Sequence, residues 1–199
     1  KWMEAEELKR ITAQTELQLV KNQINPHFLF NNLNVLSALV MKNTDEANRF
    51  IEEFSKVYRY ILNNHEKELV DLKTELDYIR PYIFLLEKRF AEGLHISVEI
   101  SPEQERYFII PASLQMLIEN AIKHNVVSKN HPLHIRVHAH GSDSIVVSNN
   151  LQLRQSVDQS TRIGLNNIIK RYWLVSGREV EVHKNDASFA VTLPLLNLN

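Results

Sequence analysis

The stretch LQMLIENAIKHN, residues 114–125, decides how the chain is read. Leu114, Leu117, Ile118, Ala121 and Ile122 recur at three- and four-residue steps, a stripe wide enough to be buried. Asn120, Lys123 and His124 gather on another face, and Glu119 stands four residues before Lys123, the spacing of an ordinary helix ion pair. Taken alone, such a polar cluster is a solvated helix face, so its surroundings matter. Around it the hydrophobic period is two: Ile96, Val98, Ile100 before it, then Leu133, Ile135, Val137, Ala139, then Ile145, Val147, then Val180, Val182, and finally Phe189, Val191, Leu193. These runs predict about five strands. Helical patterns also cover Leu72 to Phe90, with Pro81 as a candidate kink, and Ile163 to about Val175. A sheet covered on one face by helices is an α/β sandwich.

Upstream the regime differs. From Glu4 to about Val40 there is no glycine, and Leu17, Val20, Ile24 and Phe28 mark one long amphipathic helix. The polar run Asn43-Thr44-Asp45-Glu46 carries capping chemistry, after which Ala47, Phe50, Ile51, Phe54, Val57, Tyr58 and Ile61 resume the stripe up to a break at Asn63-Asn64-His65. An antiparallel hairpin follows from this. Standing alone it leaves an apolar face uncovered, and a second copy making a four-helix bundle is the simplest cover, so a homodimer is expected. The whole is α+β, with a hairpin over residues 1–66 and the sandwich over 67–199.

Composition narrows the function. Lys+Arg 23 against Asp+Glu 24 leaves a formal net charge of -1, without the basic field that nucleic-acid binding uses. With Cys 0 there are no disulfides, thiolate metal sites or cysteine nucleophiles, which suits a reducing compartment. Only 4 glycines occur, too few for a glycine-rich phosphate loop of the Walker or Rossmann kind. No apolar run approaches the ~20 residues of a membrane span. The start in mid-helix pattern, Lys1-Trp2-Met3, suggests a piece of a longer protein, with any membrane segment upstream.

Against this background residues 117–125 resemble the N box of the GHKL ATPases, whose asparagine, here Asn120, holds Mg²⁺ against nucleotide phosphates. Oxygen ligation suits that hard ion. Ser160 to Asn167 resemble the family's second glycine box around Gly164 and Leu165. In the hairpin, Asn25-Pro26-His27-Phe28-Leu29-Phe30-Asn31-Asn32-Leu33 is similar to the phosphoacceptor box of the LytS-like sensor histidine kinases, a bacterial two-component family. Further matches run through Tyr58-Arg59-Tyr60, Leu72-Lys73-Thr74-Glu75-Leu76, Arg89-Phe90, Pro111, Leu114-Gln115, Asn167, Arg171 and Leu193-Pro194.

The resemblance implies a GHKL (Bergerat) sandwich with a mixed sheet, in the cytoplasmic part of an inner-membrane protein. It implies ATP and Mg²⁺ as cofactors, autophosphorylation on His27, and transfer of the phosphoryl group to an Asp of a response-regulator receiver domain. ATP binding falls to Glu119, Asn120, Lys123, His124, Asn149, Arg162, Gly164 and Leu165, with Asn120 as metal ligand. The chemistry is sound for this assignment: a neutral imidazole is a competent nucleophile toward a Mg²⁺-neutralised γ-phosphate. Pro26 locally loosens the turn that presents His27, and Asn31, one turn on, can bond the ring or the incoming phosphate. Two positions and one segment of the ATP-binding part depart from the pattern. Asn149 stands where many relatives carry the adenine-binding aspartate, Leu151 replaces a glycine, and residues 152–161, in the place of an ATP lid, contain no glycine. They ground an alternative, a non-catalytic dimeric relay with a degenerate ATP site. His134, His138 and His140 share one strand face, but the buried face is the opposite one, and solvated histidines need no zinc to explain them.

Overall fold

A computed structural model describes residues 26–64, 67–154 and 162–197. Its helices are α1 (Pro26–Lys42), α2 (Thr44–Asn64), α3 (Leu72–Phe90), α4 (Ser113–His124) and α5 (Arg162–Ser176). The strands are β1 (Val70–Asp71), β2 (Leu94–Glu99), β3 (Phe108–Ile109), β4 (Leu133–His140), β5 (Ser144–Asn150), β6 (Glu181–Lys184) and β7 (Ser188–Pro194). The fold is α+β, as the periodicities predict. The part of the first helix expected from Glu4 to Asn25 lies outside the described residues.

The chain divides into two compact units, one ending at Ile51 and one starting at Glu52. In the first, α1 and α2 are separated by Asn43 alone, whose Oδ1 accepts the Glu46 N–H at 3.1 Å. This is the N-cap of α2, and Asp45 and Glu46 add favourable charge to its first turn. Phe28, Asn32, Ala47 and Phe50 are buried, and Asn32 donates from Nδ2 to the Phe28 carbonyl at 2.8 Å. The division between these compact units falls within α2. Its last turns pack with α3: the Tyr60 ring stacks on Tyr78, centroids 3.9 Å apart and planes within 8°.

In the second unit five strands form one sheet in the order β2-β4-β5-β7-β6. Only the β2–β4 pair is parallel, so the sheet is mixed. Alternation works as anticipated on β4: Leu133, Ile135 and Val137 are buried, while His134, Arg136 and His140 are exposed. On the open face Arg136 grips Glu99 bidentately, Nε–Oε1 3.1 Å and Nη2–Oε2 2.6 Å, and the His95 and His134 rings lie 5.0 Å apart. Among the described residues no group of three or more His, Cys, Asp or Glu side chains is arranged to hold a metal ion.

The covered face packs against α3 and α4, and α5 packs on α4. α3 is capped by Asp71, which accepts the Thr74 N–H at 2.8 Å, and it runs unbroken through the buried Pro81. The carbonyl left without a partner by Pro81 is that of Asp77, an exposed residue, where water can satisfy it. Leu76 and Ile79 from α3 and Leu114 and Ile118 from α4 are fully buried at the centre of this layer. Truncating Leu76 to alanine is expected to destabilise the fold by about 3 kcal/mol, the usual range for a fully buried leucine, and urea melts of the two proteins measure it.

Candidate functional site

α4 lies with one edge over a cavity of about 320 Å³ that also meets α5 and the ends of β5, β6 and β7. Because Leu114, Leu117, Ile118 and Ala121 turn to the core, Asn120 and His124, one turn apart, come to the cavity wall together. Asn125 closes the helix and builds the wall: its Nδ2 donates to the Ala121 carbonyl at 2.9 Å and its Oδ1 accepts the Gln152 N–H at 2.8 Å. Arg154 donates through Nε to the Asn125 carbonyl at 2.7 Å and through its backbone to the His124 carbonyl at 3.1 Å, a cation at a helix C-terminus.

Asn149 comes from the inward face of β5 and is 6% exposed. Its Nδ2 donates to the Asn150 carbonyl at 2.7 Å, so the amide presents Oδ1 as its acceptor. Leu151, Leu153, Leu165 and Phe189 give the cavity apolar surface; Asn166 and Lys184 complete its polar rim. Gly164 sits in the first turn of α5, where a Cβ would meet nothing within 4 Å. Arg162 opens the same helix, while Ser160 and Thr161 lie outside the described residues. Of the residues assigned from sequence, Asn120, His124, Asn149 and Leu165 line the cavity. Lys123 is exposed on α4.

Glu119 takes part in a different arrangement, a polar ladder between α3 and α4. Its Oε1 accepts from the Tyr82 hydroxyl at 2.8 Å and from Gln115 Nε2 at 2.8 Å, and Gln115 in turn accepts the hydroxyl of Tyr78. At the ladder's other end Glu75 accepts the Tyr60 hydroxyl and the backbone N–H groups of Ala112, at 3.1 Å, and Leu114, at 3.2 Å. Burial pushes the Glu75 carboxyl up to about 7, although all three bonds pull it down. The hydroxyls of Tyr60, Tyr78 and Tyr82 are raised as well, first by burial and then by the neighbouring carboxylates.

In the first unit His27 is exposed on α1. The Asn31 amide nitrogen lies 3.1 Å from its Nδ1 and 3.3 Å from its Nε2, so the side chain one turn on sits against the imidazole, as the spacing anticipates. Sequence reasoning did not assign Asn125, Asn166, Lys184 or Phe189 to the cavity, nor Glu75 to the start of α4. Three of them had a readable signal: Asn125 and Asn166 stand within the two ATPase-like stretches, and Glu75, with Leu72, Leu76 and Ile79, occupies the apolar stripe of α3.

The chain is similar to known proteins. Residues 15–94 match the histidine kinase family model. The sensor protein LytS of Bacillus cereus is 30% identical over 143 residues, covering 72% of this chain and 24% of that protein. The Escherichia coli sensor histidine kinase YpdA is 37% identical over 123 residues, 61% of this chain and 21% of its own length. Among solved structures, the Acinetobacter baumannii histidine kinase AdeS aligns with 94% of this chain and 98% of that one, at 10% identity and a TM-score of 0.44. By sequence the chain belongs with the histidine kinases. Within them it is LytS-like, as its motifs imply, and it spans about a quarter of the length of these relatives.

Proposed function

We propose that this chain is the catalytic region of a two-component sensor kinase, which binds ATP with Mg²⁺ in the α4–α5 cavity and phosphorylates itself on His27. The observation that carries the reading is the convergence of Asn120, His124, Asn149 and Leu165, separated in sequence, on one cavity. Its walls suit a nucleotide. Leucines and Phe189 offer a flat apolar slot for a base, and Lys184 supplies a cation for phosphate. The donor set fits the metal too, since Asn120 and Asn166 bring amide oxygens, the hard ligands magnesium takes. Asn120 would hold the ion, which when bound neutralises phosphate charge.

The neutral imidazole of His27 attacks the γ-phosphorus: a P–N bond forms, the bond to the β,γ-bridging oxygen breaks, and ADP leaves. Asn31 orients the ring. If the amide turns Oδ1 toward Nδ1–H, the lone pair for attack lies on Nε2. The phosphoryl group then passes to an aspartate of a response-regulator receiver domain. We assign residues 1–66 to dimerisation and phosphoacceptance and 67–199 to ATP binding. Phe30, Leu33 and Val40 are exposed at helical spacing on α1, an apolar face that a second copy would cover in the homodimer. Among the described residues no helix is long and apolar enough to cross a membrane; attachment to the bacterial inner membrane, with this region in the cytoplasm, falls to segments upstream.

The base-recognition part is tested by calorimetric titration with Mg²⁺ and either ATP or GTP. Asn149 offers an acceptor to the adenine amino group but opposes the guanine carbonyl, so ATP is expected to bind at least about tenfold tighter, the worth of one well-placed hydrogen bond against an unpaired one. Asn149→Ala should close most of that gap. Equal affinity for the two nucleotides removes Asn149 from base recognition, and absence of any binding transfers the reading to the dimeric relay.

A further inference from the structure

The phosphotransfer chemistry makes no use of Glu75, yet this carboxylate is completely buried and accepts bonds from two other helices. α4 depends on it. The N-cap residue of α4 is Ala112, held at φ 61° in the left-handed region, with no side-chain acceptor of its own. Alanine is a poor cap and adopts that conformation at a cost. Glu75 performs the missing function from outside the helix, taking the N–H groups of Ala112 and Leu114. Its third donor, Tyr60, comes from the last turn of α2 and is steadied by its stacking on Tyr78. From there the bonds of Tyr78, Gln115, Tyr82 and Glu119 run along α3 and α4 to the residue beside Asn120.

We propose that Glu75 and Tyr60 form a latch that couples the end of α2 to the start of α4 and, through α4, to the nucleotide cavity. The coupling to nucleotide rests on the function proposed above; the latch itself rests on the bonds just named. A hydroxyl at the about 5–6 Å side-chain radius of a helix moves roughly 3 Å when the helix turns by about 30°, which takes it out of hydrogen-bond range. The structure holds the bonded state of Tyr60 and Glu75; a shift of that size would part them. When Tyr60 leaves, the buried carboxylate keeps only two donors and takes up a proton more readily, which weakens its hold on the Ala112 and Leu114 N–H groups. The titratable groups around it do not compensate for the loss. They are Tyr60 from α2, Tyr78 on its own helix, Tyr172 from α5 and, through Tyr60, Asp71; α4 contributes only backbone N–H groups and the Ser113 hydroxyl. By linkage, a nucleotide that favours the ordered α4 favours the bonded Tyr60 by the same factor.

The test is Tyr60→Phe, which removes the hydroxyl and keeps the stacking ring. Hydrogen exchange at constant pH should be about tenfold faster at the first amides of α4, the equivalent of one charge-assisted hydrogen bond, with β4 and β5 unchanged. Affinity for ATP with Mg²⁺ should fall about fivefold at pH 7, within the usual range of coupling between sites. In the parent protein that affinity should gain from pH 6 to pH 8 relative to Glu75→Gln, whose amide does not titrate. Exchange at α4 that stays at the parent rate, or that rises equally in every element, overturns the latch. Should the parent bind no nucleotide, the proposed function fails by itself, and the exchange comparison still decides whether Tyr60 holds α4.

Discussion

His27→Gln is expected to bring incorporation of label from γ-³²P-ATP to background while leaving ATP affinity within about twofold, because the described residues that line the cavity, from Asn120 to Phe189, do not include it. Glutamine keeps the helix propensity and polar bulk of the site but has no nitrogen lone pair able to attack phosphorus. The loss is one of nucleophile rather than fold. A helical circular-dichroism spectrum equal to that of the parent checks the latter. The phosphoramidate formed on a histidine is labile in acid and stable in alkali, so the parent's label should wash out at low pH and survive at high pH. The chain has 9 histidines. Acid-labile label that persists in His27→Gln would therefore move the acceptor to another imidazole, and label stable in acid would exclude histidine phosphorylation.

Much of the fold was legible because apolar spacing is a local property. Leu114, Leu117, Ile118 and Ala121 are buried as read, with Ile122 only half-buried, and β4 alternates between the core and an open face that carries its histidines. What could not be read depends on partners far along the chain. β1 and β3 are two residues each, paired Val70 with Ile109, and no period can be seen in so short a run. The division within α2 was also hidden: its stripe continues evenly from Ala47 to Ile61, while Tyr60 stacks on Tyr78 and bonds Glu75 in the second unit.

The site divides in the same way. Asn120 and His124 lie on one helix edge, so their meeting follows from the 3.6-residue repeat. Asn149 and Leu165 were placed through family motifs, and the cavity brings them to that edge. Lys184 and Phe189 arrive through the register of the β6–β7 pair, which sets Lys184 opposite Phe189 and which nothing in either strand announces. Glu119, assigned to ATP from its place in the motif, donates nothing and accepts from Tyr82 and Gln115 on the side packed against α3. One residue along a helix turns a side chain by about 100°, so a motif that names neighbours does not give them a common face.

That separation bears on the second large effect. Asn120→Ala is expected to weaken ATP binding in the presence of Mg²⁺ by about 100-fold, or about 2.7 kcal/mol, while changing affinity for metal-free ATP by less than about threefold. The argument is one of difference. The apolar slot of Leu151, Leu153, Leu165 and Phe189 and the cation of Lys184 survive the substitution, so base and phosphate retain those contacts and only metal-dependent affinity is lost. Removing Mg²⁺ with EDTA should lower the parent to the level of the variant and leave the variant where it is. The two perturbations, ion and amide, would then be non-additive, as expected when each acts through the other. Glu119→Gln is the matched control, since it alters the adjacent residue but keeps a carbonyl acceptor for Tyr82 and Gln115, and it should preserve the metal dependence. Magnesium dependence surviving in Asn120→Ala would assign the ion to other oxygens, with Asn166 on the facing helix the first to examine.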